Sequence, residues 1–86
     1  PKALLRDERG AAWRVGLLAP HLAAGARVLD VGAGTGAFLA AATRAGWQAE
    51  GVEPHRGFAA FAREHYGANV HPCNFEDAPL TQGSYD

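Results

Sequence analysis

Sulfur is scarce in this sequence, which has one cysteine and no methionine. The single thiol, Cys73, excludes an internal disulfide, and the dispersed histidines lack the spacing of a zinc site. No apolar run approaches the ~18 residues of a membrane span, and Pro1–Gly10 is charged where a signal peptide is apolar. We therefore expect a cytoplasmic domain with no metal and no membrane partner.

An excess of charge of either sign is also absent. Eight Lys and Arg residues against nine Asp and Glu residues give a formal net charge of −1, so no basic field would attract nucleic acid. Apolar residues, in contrast, make up 48% of the 86 residues and charged residues only 20%. This composition excludes a disordered chain and suffices for one small core, but not for two independent domains.

Residues 1–25 are predicted to form a leading helical segment. Apolar residues recur there at helical intervals among charged ones and predict an amphipathic helix to about Ala19 with one buried face: Leu4, Leu5, Ala12, Val15, Leu18 and Leu22. Pro20 then interrupts the helical pattern, and a looser turn is expected over His21–Gly25.

Residues 26–86 alternate between strand and helix patterns. The predicted strands are Arg27–Val31, Trp47–Glu53 and Asn69–Cys73, and the predicted helices are about Thr35–Ala45 and Arg56–Tyr66. Helical crossovers of this length make the strands parallel, so the fold class is α/β, a Rossmann-like doubly wound sheet of order helix-β-α-β-α-β.

Only the first half of such a sheet is present, and a further strand could begin at residues 83–86. We expect a fragment of a longer domain, whose open sheet edges would allow self-association. The aromatic side chains are expected in the core or in helix packing, because no basic stripe accompanies them: Trp13, Trp47, Phe58 and Phe61.

Three alternate glycines, Gly32, Gly34 and Gly36, lie where the first strand meets the next helix. This is the crevice at which open α/β sheets bind ligands. Glycine permits positive φ and lets a ligand lie against the backbone, whose free N–H groups act as donors. A tight turn needed only for packing is the alternative interpretation.

Two acidic residues indicate which ligand fits this crevice. Asp30 lies two residues before the first glycine, where its charge would oppose a pyrophosphate but attract an ammonium group. It could instead anchor the glycine loop by accepting backbone N–H bonds. Glu53, at the predicted end of the second strand, could accept hydrogen bonds from ribose hydroxyls, or be an exposed glutamate without a ligand.

Three segments together resemble class I S-adenosylmethionine-dependent methyltransferases. They are Val28-Leu29-Asp30-Val31-Gly32-Ala33-Gly34-Thr35-Gly36, Gly51-Val52-Glu53-Pro54, and Asn74-Phe75-Glu76-Asp77-Ala78-Pro79-Leu80 with Gly83-Ser84-Tyr85-Asp86. The similarity runs from about Arg27 to Asp86 and implies a partial S-adenosylmethionine-binding domain over residues 26–86.

The resemblance implies a role for each matching residue. The glycine loop would hold the methionine part of the cofactor through Gly32, Ala33, Gly34 and Gly36, and Asp30 would position its amino group. Glu53 would bind the ribose, and four residues would lie at the adenine: Pro54, His55, Asn74, where many members carry Asp, and Phe75, through its backbone N–H.

The expected function is therefore the cofactor-binding portion of a methyltransferase, with a small-molecule methyl donor and an unidentified acceptor. No catalytic residue is identified. Two alternatives stay open: an NAD- or FAD-binding oxidoreductase module using Gly32, Gly34 and Ala37, and a non-catalytic oligomerising module of the same fold. Arg14, on the leading helix, either reaches a cofactor carboxylate or is solvated.

Overall fold

Helices and parallel strands alternate along the chain in the computed structural model, which describes residues 2–80 and 85–86. The helices are α1 (Lys2–Leu18), α2 (Ala37–Arg44) and α3 (Arg56–Tyr66), and the strands are β1 (Arg27–Val31), β2 (Gln48–Val52) and β3 (Val70–His71). Short 3-10 turns occupy Ala19–His21 and Phe75–Asp77. The sheet has the order β1-β2-β3 with parallel pairing, which confirms the partial Rossmann-like α/β fold. No helix within the described ranges is long and apolar enough to cross a membrane.

The register places the carboxyl ends of β1 and β2 at the same edge of the sheet. Pairing runs from Arg27 opposite Gln48 to Val31 opposite Val52, without a bulge. Because both strands end level, the segments that follow them meet, and Gly32 N–H donates to Val52 O at 2.8 Å. This edge carries the predicted ligand crevice.

Element ends follow local backbone chemistry more closely than residue propensity. Helix α3 and its left-handed cap, Gly67 at φ 65°, lie where they were predicted. Helix α2 begins two residues later than predicted, because Gly36 at φ 86° cannot belong to a right-handed helix. Strand β3 contains only Val70–His71 of the predicted Asn69–Cys73, since it pairs with β2 at just these positions.

On α3, small side chains rather than large rings pack in the core, whereas α2 buries Phe38 and Leu39. Ala59 and Ala62 are the buried residues of α3, whereas Phe58 and Phe61 are 47% and 36% exposed. Trp13 on α1 is 67% exposed. The prediction placed these rings in the core or in helix packing. The core position is wrong for Trp13, Phe58 and Phe61 and is confirmed for Trp47, which is buried with α1 and α2.

Helix α1 packs in the core cluster of α2 through Ala11 and Val15 and also makes polar contacts, so its predicted apolar face is wrong only in part. Ala11 is its buried residue among the described side chains, while Leu5 is 50% exposed. Tyr66 OH on α3 donates to Glu8 Oε2 at 2.8 Å. Burial together with this hydrogen bond raises the pKa of Tyr66 to about 12. An amphipathic pattern alone does not show such contacts between polar side chains.

A second polar cluster ties the strands together on the opposite face of the sheet. Glu50 Oε2 contacts His71 Nε2 on β3, and Tyr85 OH donates to Glu50 Oε1 at 2.7 Å. Asp86 N–H donates to Arg27 O at 2.7 Å, so the end of the chain lies beside β1. Gly83 and Ser84 of the third predicted segment lie outside the described residues.

The Glu50 cluster predicts an acid-sensitive contribution to stability. The hydrogen bond with His71, followed by that with Tyr85 and the nearby charge of Arg27, lowers the pKa of Glu50 from its usual 4.5. A lowered carboxyl pKa stabilises the fold above pH 4.5, and this contribution is lost as the pH falls through the folded-state value. Glu50→Gln should therefore lower the melting temperature at pH 7, and the difference from the parent chain should shrink as the pH falls below 4.5. Melting curves followed by circular dichroism between pH 7 and acidic pH test this prediction.

Glu64→Gln, which removes a carboxylate from the exposed face of α3, is the matched control, and its difference from the parent chain should not shrink in the same way. A pH-independent difference for Glu50→Gln would contradict the prediction.

Candidate functional site

The loop between β1 and α2 has the backbone geometry that its glycines predict. Gly32, Gly34 and Gly36 all have positive φ, at 79°, 58° and 86°. The loop is held against the end of β2, because Gly32 N–H and Ala33 N–H both donate to Val52 O, at 2.8 and 3.1 Å. The loop thus closes directly over the carboxyl ends of the two strands.

Two of these glycines have different reasons to lack a side chain. A Cβ on Gly36 would lie 2.6 Å from the Cβ of Ala62, so this position lets α3 pack against the start of α2. A Cβ on Gly34 would meet nothing within 4 Å and would enter open space beside the loop. Gly36 therefore serves helix packing, whereas Gly34 leaves room at the crevice.

Glu53 anchors the glycine loop. Its side chain is buried, and Oε1 accepts Gly34 N–H at 2.7 Å while Oε2 accepts His55 N–H at 2.8 Å. The interpretation of Glu53 as an exposed strand-end residue is therefore wrong. The anchoring of the loop considered for Asp30 is instead performed by Glu53. Each carboxylate oxygen has a second lone pair, so hydrogen bonds from ribose hydroxyls remain compatible with this arrangement.

Asp30 faces a cation on α1 instead of the loop backbone. Its Oδ1 lies 3.5 Å from Arg14 Nη2, and the Arg14 guanidinium also lies 4.1 Å from the centre of the Phe38 ring. Burial raises the pKa of Asp30, Arg14 opposes the rise, and the negative charge of Glu53 adds to it. The crevice thus contains a buried carboxyl whose ionised form is incompletely compensated.

A cavity of about 260 Å³ separates α1 from the glycine loop, and we call it the loop cavity. Its lining includes Arg6, Asp7, Gly10 and Arg14 from α1, and Ala33, Gly34 and Thr35 from the loop. Of the α1 residues, sequence reasoning considered only Arg14. The spacing of Asp7, Gly10 and Arg14, three and then four residues apart, is the available signal, because it places them on one helical face.

The residues expected at the adenine are exposed in the segments after β2 and β3. Pro54, Asn74 and Phe75 do not line the loop cavity, and neither do Asp30 and Glu53, although Glu53 contacts the glycine loop through Gly34. Phe75 N–H makes no hydrogen bond among the described residues, which leaves it available as a donor. His55 Nδ1 accepts Phe58 N–H at 3.2 Å and so caps α3. The adenine assignments remain predictions.

Fold and site together define a Rossmann-like α/β domain with a ligand crevice at its glycine loop. A comparison with protein families matches residues 5–86 to the family described as "Methyltransferase domain". The chain therefore belongs to this family, which confirms the resemblance noted in the sequence and does not favour the oxidoreductase alternative. A search of curated proteins finds no match. Among the described side chains, no three His, Cys, Asp or Glu residues come together as metal ligands.

The contrast between Gly36 and Gly34 gives a stability prediction. Gly36→Ala should destabilise the fold by about 2–4 kcal/mol, because left-handed backbone strain adds to the overlap with Ala62. Gly34→Ala should cost only the strain, about 1–2 kcal/mol. Urea unfolding followed by circular dichroism measures both values. Equal losses would show that Gly36 is not a packing position.

Proposed function

We propose that this chain is the cofactor-binding portion of an S-adenosylmethionine-dependent methyltransferase. Residues 26–86 supply the strand-end crevice, and the leading segment, residues 1–25, forms its outer wall. The observation that carries the proposal is the Arg14–Asp30 pair, two opposite charges 3.5 Å apart where α1 faces the glycine loop.

This pair matches the amino-acid end of S-adenosylmethionine, which has an ammonium and a carboxylate on one carbon. The ammonium would pair with Asp30 and the carboxylate with Arg14, each in place of the other side chain. Arg14 is half exposed and has the rotamer freedom to move, whereas Asp30 is fixed on β1. The exchange relieves the excess negative charge of Asp30 and Glu53, which a dinucleotide pyrophosphate would increase.

The resemblance, the volume of the loop cavity and the lone pairs of Glu53 together suggest where the remainder of the cofactor would lie. The loop cavity, at about 260 Å³, suits an amino-acid group better than a whole nucleoside, so the adenosine would extend beyond it. Glu53 has the lone pairs for the ribose hydroxyls. Pro54, His55, Asn74 and Phe75 are the proposed adenine neighbours.

S-adenosylmethionine supplies an electrophilic methyl group on a sulfonium, a good leaving group. What this chain contributes is position: Asp30 and Arg14 fix the amino-acid end, and the glycine loop, held by Glu53, provides the backbone surface. Alignment is the main requirement of such a displacement, so a side chain in direct contact with the transferred group is not needed for binding. The acceptor and any proton-accepting group are not assigned by these contacts.

Calorimetric titration with three ligands tests the proposal. S-adenosylhomocysteine retains the amino-acid end, 5′-methylthioadenosine lacks it, and NAD carries a pyrophosphate. The parent chain should bind S-adenosylhomocysteine about 10- to 100-fold more tightly than 5′-methylthioadenosine, since two charge-assisted pairs with the ligand replace the single Arg14–Asp30 pair. Arg14→Gln should reduce this ratio to below about tenfold while leaving 5′-methylthioadenosine binding unchanged.

Arg9→Gln, on the solvent-exposed surface of α1, removes the same charge and should leave the ratio intact. Tighter binding of NAD than of S-adenosylhomocysteine would overturn the proposal. So would an equal loss of both adenosine ligands in Arg14→Gln, because the arginine would then not act on the amino-acid end.

The raised pKa of Asp30 predicts that binding and stability respond to its replacement in opposite directions. A carboxyl with a raised folded-state pKa makes the fold less stable as the pH rises from the ordinary pKa of 3.8 through the folded-state pKa, and this loss is complete above the folded-state value. Asp30→Asn should therefore give an equal or higher melting temperature at pH 8 without ligand, yet bind S-adenosylhomocysteine at least about tenfold more weakly. Thermal melts and calorimetry on the same preparation measure both. A lower melting temperature with unchanged affinity would show a purely structural aspartate.

A further inference from the structure

A second, larger cavity opens between the first turns of α1 and α3. Its volume is about 610 Å³, within the range of small-molecule sites, and Leu4 of α1 faces Phe58 and Phe61 of α3 across it. We call it the aromatic cavity. The proposed function places one lining residue, His55, near the adenine but assigns no ligand to the rings of Phe58 and Phe61, and the volume of this cavity is more than twice that of the loop cavity.

The wall formed by α3 consists of two ring pairs. His55 and Phe58 have ring centres 4.3 Å apart, and Phe61 stacks with His65 at 4.8 Å. The two phenylalanines are 47% and 36% exposed, because the side of α3 that packs in the core has space only for alanines. Flat apolar surfaces held side by side at a cavity suit a planar ligand, which gains both burial and ring stacking.

The aromatic cavity adjoins the loop cavity. Asp7 and Thr35 line both, and Thr35 Oγ1 donates to Asp7 Oδ2 at 3.3 Å across their common wall. A ligand in the aromatic cavity therefore lies next to the space assigned to the methionine end of the methyl donor. Because the two cavities adjoin, a ligand bound between α1 and α3 would be placed as a reaction partner of the methyl donor and would do more than cover exposed rings.

The charge of the lining restricts the ligand further. Asp7 is the only carboxylate among the described residues that line the aromatic cavity, and no Lys or Arg is among them. An anionic ligand would be repelled, whereas a neutral or cationic one would not. Because His55 Nδ1 accepts Phe58 N–H, a neutral His55 ring carries its proton on Nε2, which is then a donor for a polar group.

We propose that the aromatic cavity binds the methyl acceptor, and that this acceptor is a neutral or cationic molecule with a planar aromatic body. Its hydroxyl or amino group would lie at the wall formed by Asp7 and Thr35. The assignment as acceptor site rests on the proposed function. The binding of a planar molecule rests on the ring pairs alone.

The experiment uses 2-naphthol, a neutral planar probe whose fluorescence is excited beyond the tryptophan absorption. It is titrated into the chain with and without saturating S-adenosylhomocysteine. Binding should weaken about fivefold or more in Phe58→Ala and in Phe61→Ala, since each loses one ring surface. Trp13→Ala, which removes an exposed ring of α1 outside both cavities, is the matched control and should bind like the parent chain.

Saturating S-adenosylhomocysteine should tighten 2-naphthol binding about threefold or more, because the two ligands would share a wall, and reciprocity requires the same factor in the opposite titration. Alanine favours helix, and far-UV circular dichroism verifies that the variants keep α3. Phe58→Leu, which keeps apolar volume without a ring, should bind 2-naphthol more weakly than the parent chain if stacking contributes.

Several outcomes overturn this inference. Equal 2-naphthol binding by the parent chain and the alanine variants places the probe elsewhere. If 2-naphthol competes strictly with S-adenosylhomocysteine, the aromatic cavity is part of the cofactor site. If 2-naphthol binding is independent of S-adenosylhomocysteine, the cavity is not the acceptor site. If the parent chain dimerises with increasing concentration, Phe58→Ala abolishes the dimer and 2-naphthol does not bind, the rings form an interface between two copies of the chain. S-adenosylhomocysteine binding without 2-naphthol binding rejects this inference and keeps the proposed function, whereas the reverse result rejects the proposed function.

Discussion

One buried carboxylate holds the crevice together. Glu53 accepts hydrogen bonds from Gly34 and from His55, so it links the loop after β1 to the turn that begins α3. The level ends of β1 and β2 bring these segments within reach, and the positive φ of Gly34 turns its N–H toward the carboxylate. The site is thus built from backbone donors arranged around an acid, an arrangement that keeps its shape because both carboxylate oxygens are occupied.

The same preference for close backbone packing explains where the aromatic residues lie. Gly36 and Ala62 bring α2 and α3 into direct contact, so the sheet side of α3 has space for alanines and not for phenylalanine rings. The rings of Phe58 and Phe61 are consequently displaced to the side of α3 that faces α1. A helix that packs this closely against its neighbour leaves a surface with both apolar area and open volume.

Sequence patterns predict the elements of this fold because each one has a local chemical cause. The β1 run, the glycine loop and the left-handed cap at Gly67 are determined by residues within a few positions, and all three were located correctly. The burial of Glu53 and the pairing of Arg14 with Asp30 depend on the register of β1 with β2 and on the docking of α1. These are tertiary contacts, which cannot be predicted from the residues that neighbour them in the sequence. The core position that the sequence allowed for Trp13, Phe58 and Phe61, beside helix packing, is wrong for the same reason, since hydrophobicity alone does not show which face a helix buries.

The crevice contains two buried acidic residues and one half-exposed cation, an arrangement that the stability of the fold alone does not explain. Asp30 and Glu53 are both buried, and the negative charge of Glu53 contributes to the raised pKa of Asp30. The cation that compensates Asp30, Arg14, is half exposed and belongs to α1, which is held by packing against α2 and by polar contacts. An acid fixed in the sheet and a cation on a different element form a pair that a ligand with both charges could open. Under the proposed function, the incomplete compensation within the fold would favour binding, because the ligand ammonium would pair with a carboxylate that the half-exposed arginine compensates only in part.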